Sequence, residues 1–263
     1  MDLNLKNKVS LVCGASKGLG YAVATELSRE GSTTIICSSN EQRINKAAQQ
    51  IEKETGKTVV AFKSDLADNA QLDGLVDFAL SKFSRIDILV NNTGGPPAGF
   101  FMDFTEKEWL TAYKLTFSSA LYLTKQLLPK MVEQHWGRVI NLTSISVKQP
   151  IDNLIISNSI RMAVIGWAKT ISNQYAKDGI TVNNIATGYT LTERVKNLAT
   201  NIAQQQKITP EQAMANWINS IPANRLAKPE EIAWIVAFLA SEKAGYITGT
   251  TIPVDGGYVQ SML

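Results

Sequence analysis

Cys13-Gly14-Ala15-Ser16-Lys17-Gly18-Leu19-Gly20 decides the fold of this chain. The apolar, β-branched run VSLVC (9–13) leads into it, and the amphipathic stretch YAVATELSRE (21–30) leads away. A strand therefore enters a glycine-rich turn and a helix leaves it. Glycines there permit a tight turn and close approach of a pyrophosphate to the backbone, while the first N–H groups of the helix stay free to bind it. The spacing is G-x-x-x-G-x-G, not the G-x-G-x-x-G of long-chain dehydrogenases. Glycine-rich turns also occur for structural reasons; placement between strand and helix is what marks this one as a phosphate cradle.

The alternation continues to the end of the chain. TTIIC (33–37), TVVAF (58–62), DILVN (87–91), GRVINLT (137–143), ITVNNIA (180–186) and TIPV (251–254) read as further strands. Between them lie EQRINKAAQQIEKE (41–54), NAQLDGLVDFALSKF (69–83), the long run from Glu106 to Gln134, and a stretch from Asn158 to Lys177, all with helical periodicity. Strands alternating with helices predict an α/β protein: one parallel, seven-stranded sheet with helices on both faces, spanning residues 1–263 as a single domain. The segment from about 190 to 222, rich in Asn, Gln and Thr, departs from this pattern. It follows the sixth strand at the sheet end where open α/β sheets bind ligands, and it reads as a substrate lid.

Composition excludes several classes. With 26 basic and 23 acidic residues the net charge is +3, too balanced for nucleic-acid binding. No apolar run reaches the roughly 18 residues that span a bilayer, and the start lacks a signal-peptide core. Cys13 and Cys37 both fall in apolar strands, as in a reduced cytoplasmic protein. His135 is the only histidine and lies in the polar stretch EQHWGR, a surface position, so neither a histidine triad nor a metal site is expected.

The second strand bears on the nucleotide. An acid roughly 20 positions after the glycines would bind the ribose 2′-hydroxyl of NAD. Here the strand ends Cys37-Ser38-Ser39-Asn40, without an acid before Glu41. The penalty against a 2′-phosphate is absent, Ser38, Ser39 and Asn40 can donate hydrogen bonds, and Lys17 sits in the glycine loop; Arg43 is a further candidate. NADP(H) is the expected cofactor.

These motifs, with SDLAD around Asp65, Asn91-Asn92-Thr93-Gly94, GRVINLTS, ITVNNIATGYTLT and ITGTTIPVDGG, make the chain similar to the short-chain dehydrogenase/reductase family over nearly its whole length. In style it resembles bacterial 3-oxoacyl-acyl-carrier-protein reductases. The resemblance implies a three-layer Rossmann fold, a small-molecule substrate and a homodimer or homotetramer. It implies that Gly14, Ser16, Lys17, Gly18, Leu19 and Gly20 cradle the cofactor and that Asp65 and Leu66 border the adenine. Asn91 and Gly94 would line the cofactor channel, and Thr187, Gly188, Thr190 and Thr192 would face the nicotinamide side. Thr187 replaces the family's usual proline.

The proton-transfer residues depart further. The family's chemistry usually depends on a Tyr-x-x-x-Lys pair, but residues 151 to 166 read IDNLIISNSIRMAVIG, with neither tyrosine nor lysine. Aligned on Gly166, Ser157 stands in the tyrosine position and Arg161 in the lysine position. Ser144 keeps the family serine, and the family's mid-helix asparagine falls on Lys114. A tyrosine titrates near 10 and a neighbouring lysine can bring it toward working pH. Serine is far less acidic, and arginine stabilises anions but does not shuttle protons. Ser144, Ser157, Asn158, Arg161 and Lys114 still compose a donor-rich pocket suited to an oxyanion. Tyr189 is the nearest substitute acid, or else a packing aromatic of the lid.

Three readings follow. The first is an NADPH-dependent carbonyl reductase with a replacement acid: Tyr189, Lys114 or water. The second is a conjugate reductase, in which charge builds on an enolate oxygen. Tyrosine-less branches of the family associated with such chemistry, one in bacilysin-type biosynthesis, resemble this chain in Asn158-Ser159. The third is a silent NADP(H)-binding sensor or partner subunit. Phe100 and Phe101 read either as a wall for an apolar substrate or as loop packing, and Trp217 as the one tryptophan near substrate. The helices from Glu106 and Asn158, with the C-terminal YVQSML, read as an oligomer seam or as faces of the chain's own core.

Overall fold

A computed structural model describes residues 2–261; Met262 and Leu263 of the C-terminal YVQSML lie outside the described residues. The first strand, β1 (Val9–Val12), passes through the glycine turn into α1 (Gly18–Arg29). β2 (Thr33–Ser38), α2 (Glu41–Thr55), β3 (Val59–Lys63), α3 (Asn69–Phe83) and β4 (Ile88–Asn91) complete the first half. The second half runs α4 (Glu106–Tyr113), α5 (Ser119–Glu133), β5 (Gly137–Leu142), α6 (Ile155–Tyr175), β6 (Ile180–Thr187), α7 (Glu193–Gln206), α8 (Pro210–Ser220), α9 (Pro229–Ala240) and β7 (Thr251–Val254). The Glu106–Gln134 run is thus not one regular helix: a π-helical segment, Lys114–Ser118, joins α4 to α5.

Local chemistry sets many of these bounds. Asn40 and Asp68 cap α2 and α3 by accepting from the N–H groups of Arg43 and Ala70. Gly56 ends α2 in the left-handed conformation that glycine adopts without steric cost. Thr209 and Gln212 form a reciprocal capping box at α8, with Pro210 as its first residue.

All neighbouring strands pair in parallel, in the order β3-β2-β1-β4-β5-β6-β7. Alternate residues of each strand feed two cores. Val12, Ile36, Val90, Ile140 and Ile185 pack with α1, α2 and α9, whereas Leu11, Cys13, Ile35, Cys37, Val139 and Val182 pack with α3, α5 and α6. The strand order reverses direction between β1 and β4, opening a crevice beyond their C-terminal ends.

A polar line crosses the sheet near that crevice. Asn91, Asn141, Asn184 and Thr251 are in register on β4, β5, β6 and β7. Asn91 Nδ2 donates to Asn141 Oδ1 at 2.8 Å, Asn141 Nδ2 to Asn184 Oδ1 at 2.9 Å, and Asn184 Nδ2 to Thr251 Oγ1 at 3.2 Å. The three asparagines are buried, so each amide depends on its neighbour for compensation. Asn141→Ala removes two links and leaves partners on both sides unpaired. Urea unfolding is expected to show a loss of about 2 kcal/mol or more; a change below about 0.5 kcal/mol would mean that the ladder carries no stability.

Candidate active site

The crevice is a cavity of about 500 Å³ running across the C-terminal ends of the central strands. At one end Ser38 closes β2 with Ser39 and Asn40 after it, and Asp65 and Leu66 follow β3. Gly14, Ser16, Lys17, Gly18 and Leu19 form the middle, with Gly94 on the facing loop. Ser144, Ser157 and Arg161 stand at the other end, roofed by Thr187, Gly188, Tyr189, Thr190 and Thr192. Arg43 also lines the basic corner beside the end of β2.

The glycine turn has little room. A Cβ on Gly14, whose φ is +57°, would lie 2.7 Å from the Asn92 carbonyl oxygen. A Cβ on Gly20 would lie 2.4 Å from the Gly14 carbonyl oxygen. Gly20 does not line the cavity; it lets the helix close onto the turn. Asn92 holds the arrangement, its Nδ2 donating to the carbonyls of Cys13 and Gly14 at 3.2 and 3.1 Å. The sequence motif contained Asn92 without singling it out.

At the reaction end, Ser144 Oγ accepts from Ser146 N at 3.1 Å, capping the short turn Ile145–Val147. Its own proton stays available to the cavity. Ser157 is buried, with its hydroxyl 3.4 Å from that of Ser146. Arg161 is buried on α6 and donates Nη1 to the Leu142 carbonyl at 2.9 Å. Asn158 turns away from the cavity: its Nδ2 donates to the Ile151 carbonyl at 3.0 Å. Behind the floor, a small cavity of about 10 Å³ is lined in part by Asn91, Thr116 and Arg161. Asn91 Oδ1, Thr116 Oγ1 and Arg161 Nε are buried there without a hydrogen-bond partner.

Several sequence expectations need correction. Lys114 is exposed and does not line the cavity. From the same segment it is Leu115 that lines the cleft, while Thr116 lines the small rear cavity. Asn91 belongs to the polar ladder and the small rear cavity; Asn92 takes the lining position. Phe100 and Phe101 are exposed outside the cavity, and Trp217 stacks on Tyr189 with ring centroids 4.8 Å apart instead of lining it. Tyr189 also meets Tyr258 edge-on at 5.5 Å. Burial and the neighbouring Tyr258 push its phenol well above the usual range, which makes it a weaker acid.

Two contacts from the start of α7 had no sequence motif to announce them. Glu193 pairs with Lys17 Nζ at 2.7 Å. Arg194 Nη1 and Nη2 donate to the carbonyls of Gly95 and Pro96, each at 2.8 Å. Consecutive residues thus reach opposite banks of the cleft. Among the described residues no cluster of His, Cys, Asp and Glu is arranged to hold a metal ion, and no helix is long and apolar enough to cross a membrane.

The family model described as enoyl-(acyl carrier protein) reductase matches residues 14–259. The chain is 32% identical to the 3-oxoacyl-[acyl-carrier-protein] reductase FabG of Haemophilus influenzae over 253 residues, covering 96% of this chain and 98% of that one. It is similar in structure to the L-sorbose reductase of Gluconobacter frateurii, solved with NADPH and L-sorbose: TM-score 0.95, 29% identity, all of both chains. YwfH, an NADPH-dependent reductase involved in bacilysin biosynthesis, superposes with a TM-score of 0.92 at 29% identity, covering 97% of this chain and 99% of that one. The chain belongs to the short-chain dehydrogenase/reductase family.

Gly20→Ala drives a methyl group into the Gly14 carbonyl, where backbone must move. It is expected to abolish nucleotide binding and to lower Tm by several degrees, read by nucleotide titration and thermal melting. Unchanged binding would disprove the role given to this close approach.

Proposed function

We propose that the protein is an NADP(H)-dependent oxidoreductase that transfers hydride to a carbonyl group, of the 3-oxoacyl or a related ketone class. One observation carries the reading: a continuous cleft joins a corner lined by Lys17, Arg43 and the acid-free end of β2 to a glycine cradle and then to a hydroxyl- and guanidinium-lined end. The cradle fits the cofactor, because glycines stand where a Cβ on Gly14 or Gly20 would strike backbone, and the helix start leaves N–H groups for phosphate. Lys17, Arg43, Ser38, Ser39 and Asn40 would hold the 2′-phosphate, and Asp65 and Leu66 would border the adenine. Arg161, Gly94, Thr187, Gly188, Thr190 and Thr192 would hold the nicotinamide end. The L-sorbose reductase and YwfH, both NADPH enzymes by description, support the choice of nucleotide.

Bound there, the cofactor supplies the hydride. The chain's own part is to orient the substrate and stabilise charge on its oxygen. Ser144 donates a hydrogen bond to that oxygen, Ser157 stands beside it, and the Arg161 charge lowers the cost of an oxyanion. The proton comes from water, since no strong side-chain acid lies at this end. Tyr189 is pushed away from acidity and Lys114 is on the surface.

That same lack of an acid favours a second reading, conjugate reduction of an enone. There the site need only stabilise an enolate, and protonation follows from water. The enoyl reductase description of the family model is in keeping with it. Self-association into a dimer or tetramer is supported by Leu110, Tyr113 and Met162, apolar and exposed on α4 and α6, and the residues from about 190 to 222 serve as a lid.

NADPH oxidation with ketones, 3-oxoacyl thioesters and conjugated enones offered in parallel tests the proposal. Turnover is expected, with NADPH preferred over NADH, and the better substrate separates the two readings. Ser144→Ala is expected to reduce kcat by about 100-fold or more with cofactor binding retained. Protein that binds NADPH but turns over none of the panel would instead be a cofactor-binding sensor or a silent partner subunit.

A further inference from the structure

Two hydroxyls stand at the reaction end of the cleft, and a third serine stands behind both. Ser144 and Ser157 line the cavity; Ser146 does not, and it is 4% exposed. Its backbone N–H donates to Ser144 Oγ at 3.1 Å, and its own Oγ lies 3.4 Å from Ser157 Oγ. The turn that carries it is fixed by its backbone. The Ser144 carbonyl accepts from Val147 N at 3.1 Å, and the Ile145 carbonyl accepts from Lys148 N and Gln149 N at 2.8 and 3.0 Å.

Ser157 differs from the other hydroxyl residues of α6. Ser159, Thr170 and Ser172 each donate to a carbonyl of their own helix, at 2.9, 2.9 and 2.8 Å, as serine and threonine inside helices commonly do. Ser157 does not. The carbonyl four residues before it, that of Asn153, already accepts from Gly99 N at 2.7 Å, and the carbonyl of Leu154 accepts from Asn158 N at 2.8 Å. The Ser157 hydroxyl is therefore left to Ser146 and to the cleft. A hydroxyl carries one proton and two lone pairs and rotates to suit its partners, so what Ser146 offers decides how Ser144 and Ser157 face a substrate.

Resting on the reading of this cleft as a reductase site, we propose that Ser146 is a positioning residue: it donates to both Ser144 and Ser157, and so leaves each of them its own proton for the substrate oxygen. As hydride reaches the substrate carbon, an electron pair moves onto that oxygen. Two donors already aimed there meet the charge without reorganising. The Ser146–Ser157 contact is loose at 3.4 Å, as such contacts often are before substrate binds. It tightens as the charge develops, because a hydroxyl that donates outward becomes a better acceptor behind. The contribution of Ser146 thus falls on the transition state and not on ground-state binding.

The test is single-turnover oxidation of NADPH with the best substrate among the ketones, 3-oxoacyl thioesters and conjugated enones. It compares the unsubstituted protein, Ser146→Ala, Ser157→Ala and the double variant. Ser146→Ala keeps the N–H that serves Ser144 and deletes only the hydroxyl that serves Ser157. It is expected to slow hydride transfer about tenfold, with KM and NADPH affinity each moving by less than about twofold. In protein that already carries Ser157→Ala, the same change is expected to cost less than about twofold, because the two residues act through one hydroxyl. An unchanged rate in Ser146→Ala overturns the proposal. So does a full loss that persists without Ser157, or one that appears in KM with hydride transfer intact; either marks a merely structural role. These failures leave turnover by the unsubstituted protein in place. Absence of any turnover in unsubstituted protein that binds NADPH removes the reductase reading, and the role of Ser146 with it.

Discussion

The structure depends on a turn with no space for a side chain. Gly14, Gly20 and Asn92 meet where β1 gives way to α1, at separations that a single added carbon would violate. Asn92 lies just beyond β4, so its two hydrogen bonds to the turn tie together the two strands between which the sheet order reverses. The crevice is therefore built by the same contacts that hold the turn. A ligand entering it finds backbone N–H groups already aimed outward, and little reorganisation is needed to bind phosphate.

Behind the turn, the floor is made stiff by polar bonding in addition to apolar packing. The line from Asn91 through Asn141 and Asn184 to Thr251 fixes register across four strands. Parallel strands with apolar residues on both faces can slip by two residues at modest cost to packing, whereas amides that must meet in one row cannot. Ser144 and Arg161 are both referenced to this floor: Ser144 follows β5, and Arg161 is tied to its last residue, Leu142. The spacing between hydroxyl and guanidinium is thus set by the sheet.

Much of this was legible in the chain. The strands announced themselves because parallel sheets bury both faces and need short β-branched runs. The glycine turn did so because its steric demand admits one residue type. The acid-free end of β2 needed only inspection of Ser38, Ser39 and Asn40. Lys114 misled because alignment does not show which way a helix faces, and the π-helical segment shows only in the backbone hydrogen bonds. Asn91 and Asn92 are adjacent and chemically identical, so only the pleat of β4 decides which one reaches the cleft. Arg194 was missed because its partners are backbone carbonyls, which leave no signature in sequence.

The Glu193–Arg194 pair has a consequence for how the cleft opens. One residue is bound to the glycine loop and the next to the Gly95–Pro96 loop, so the banks cannot part independently of α7. Just upstream of the pair, Tyr189 and Leu191 exchange backbone hydrogen bonds with Ala227, which moors the base of this excursion to the segment before α9. The two tethers differ in kind. The Lys17–Glu193 pair is exposed and weakens as salt shortens the reach of its charges. The Arg194 bonds run to neutral carbonyls and respond less. Rising ionic strength therefore weakens the tie to the glycine loop more than the tie to the Gly95–Pro96 loop, so the two banks differ in their sensitivity to salt.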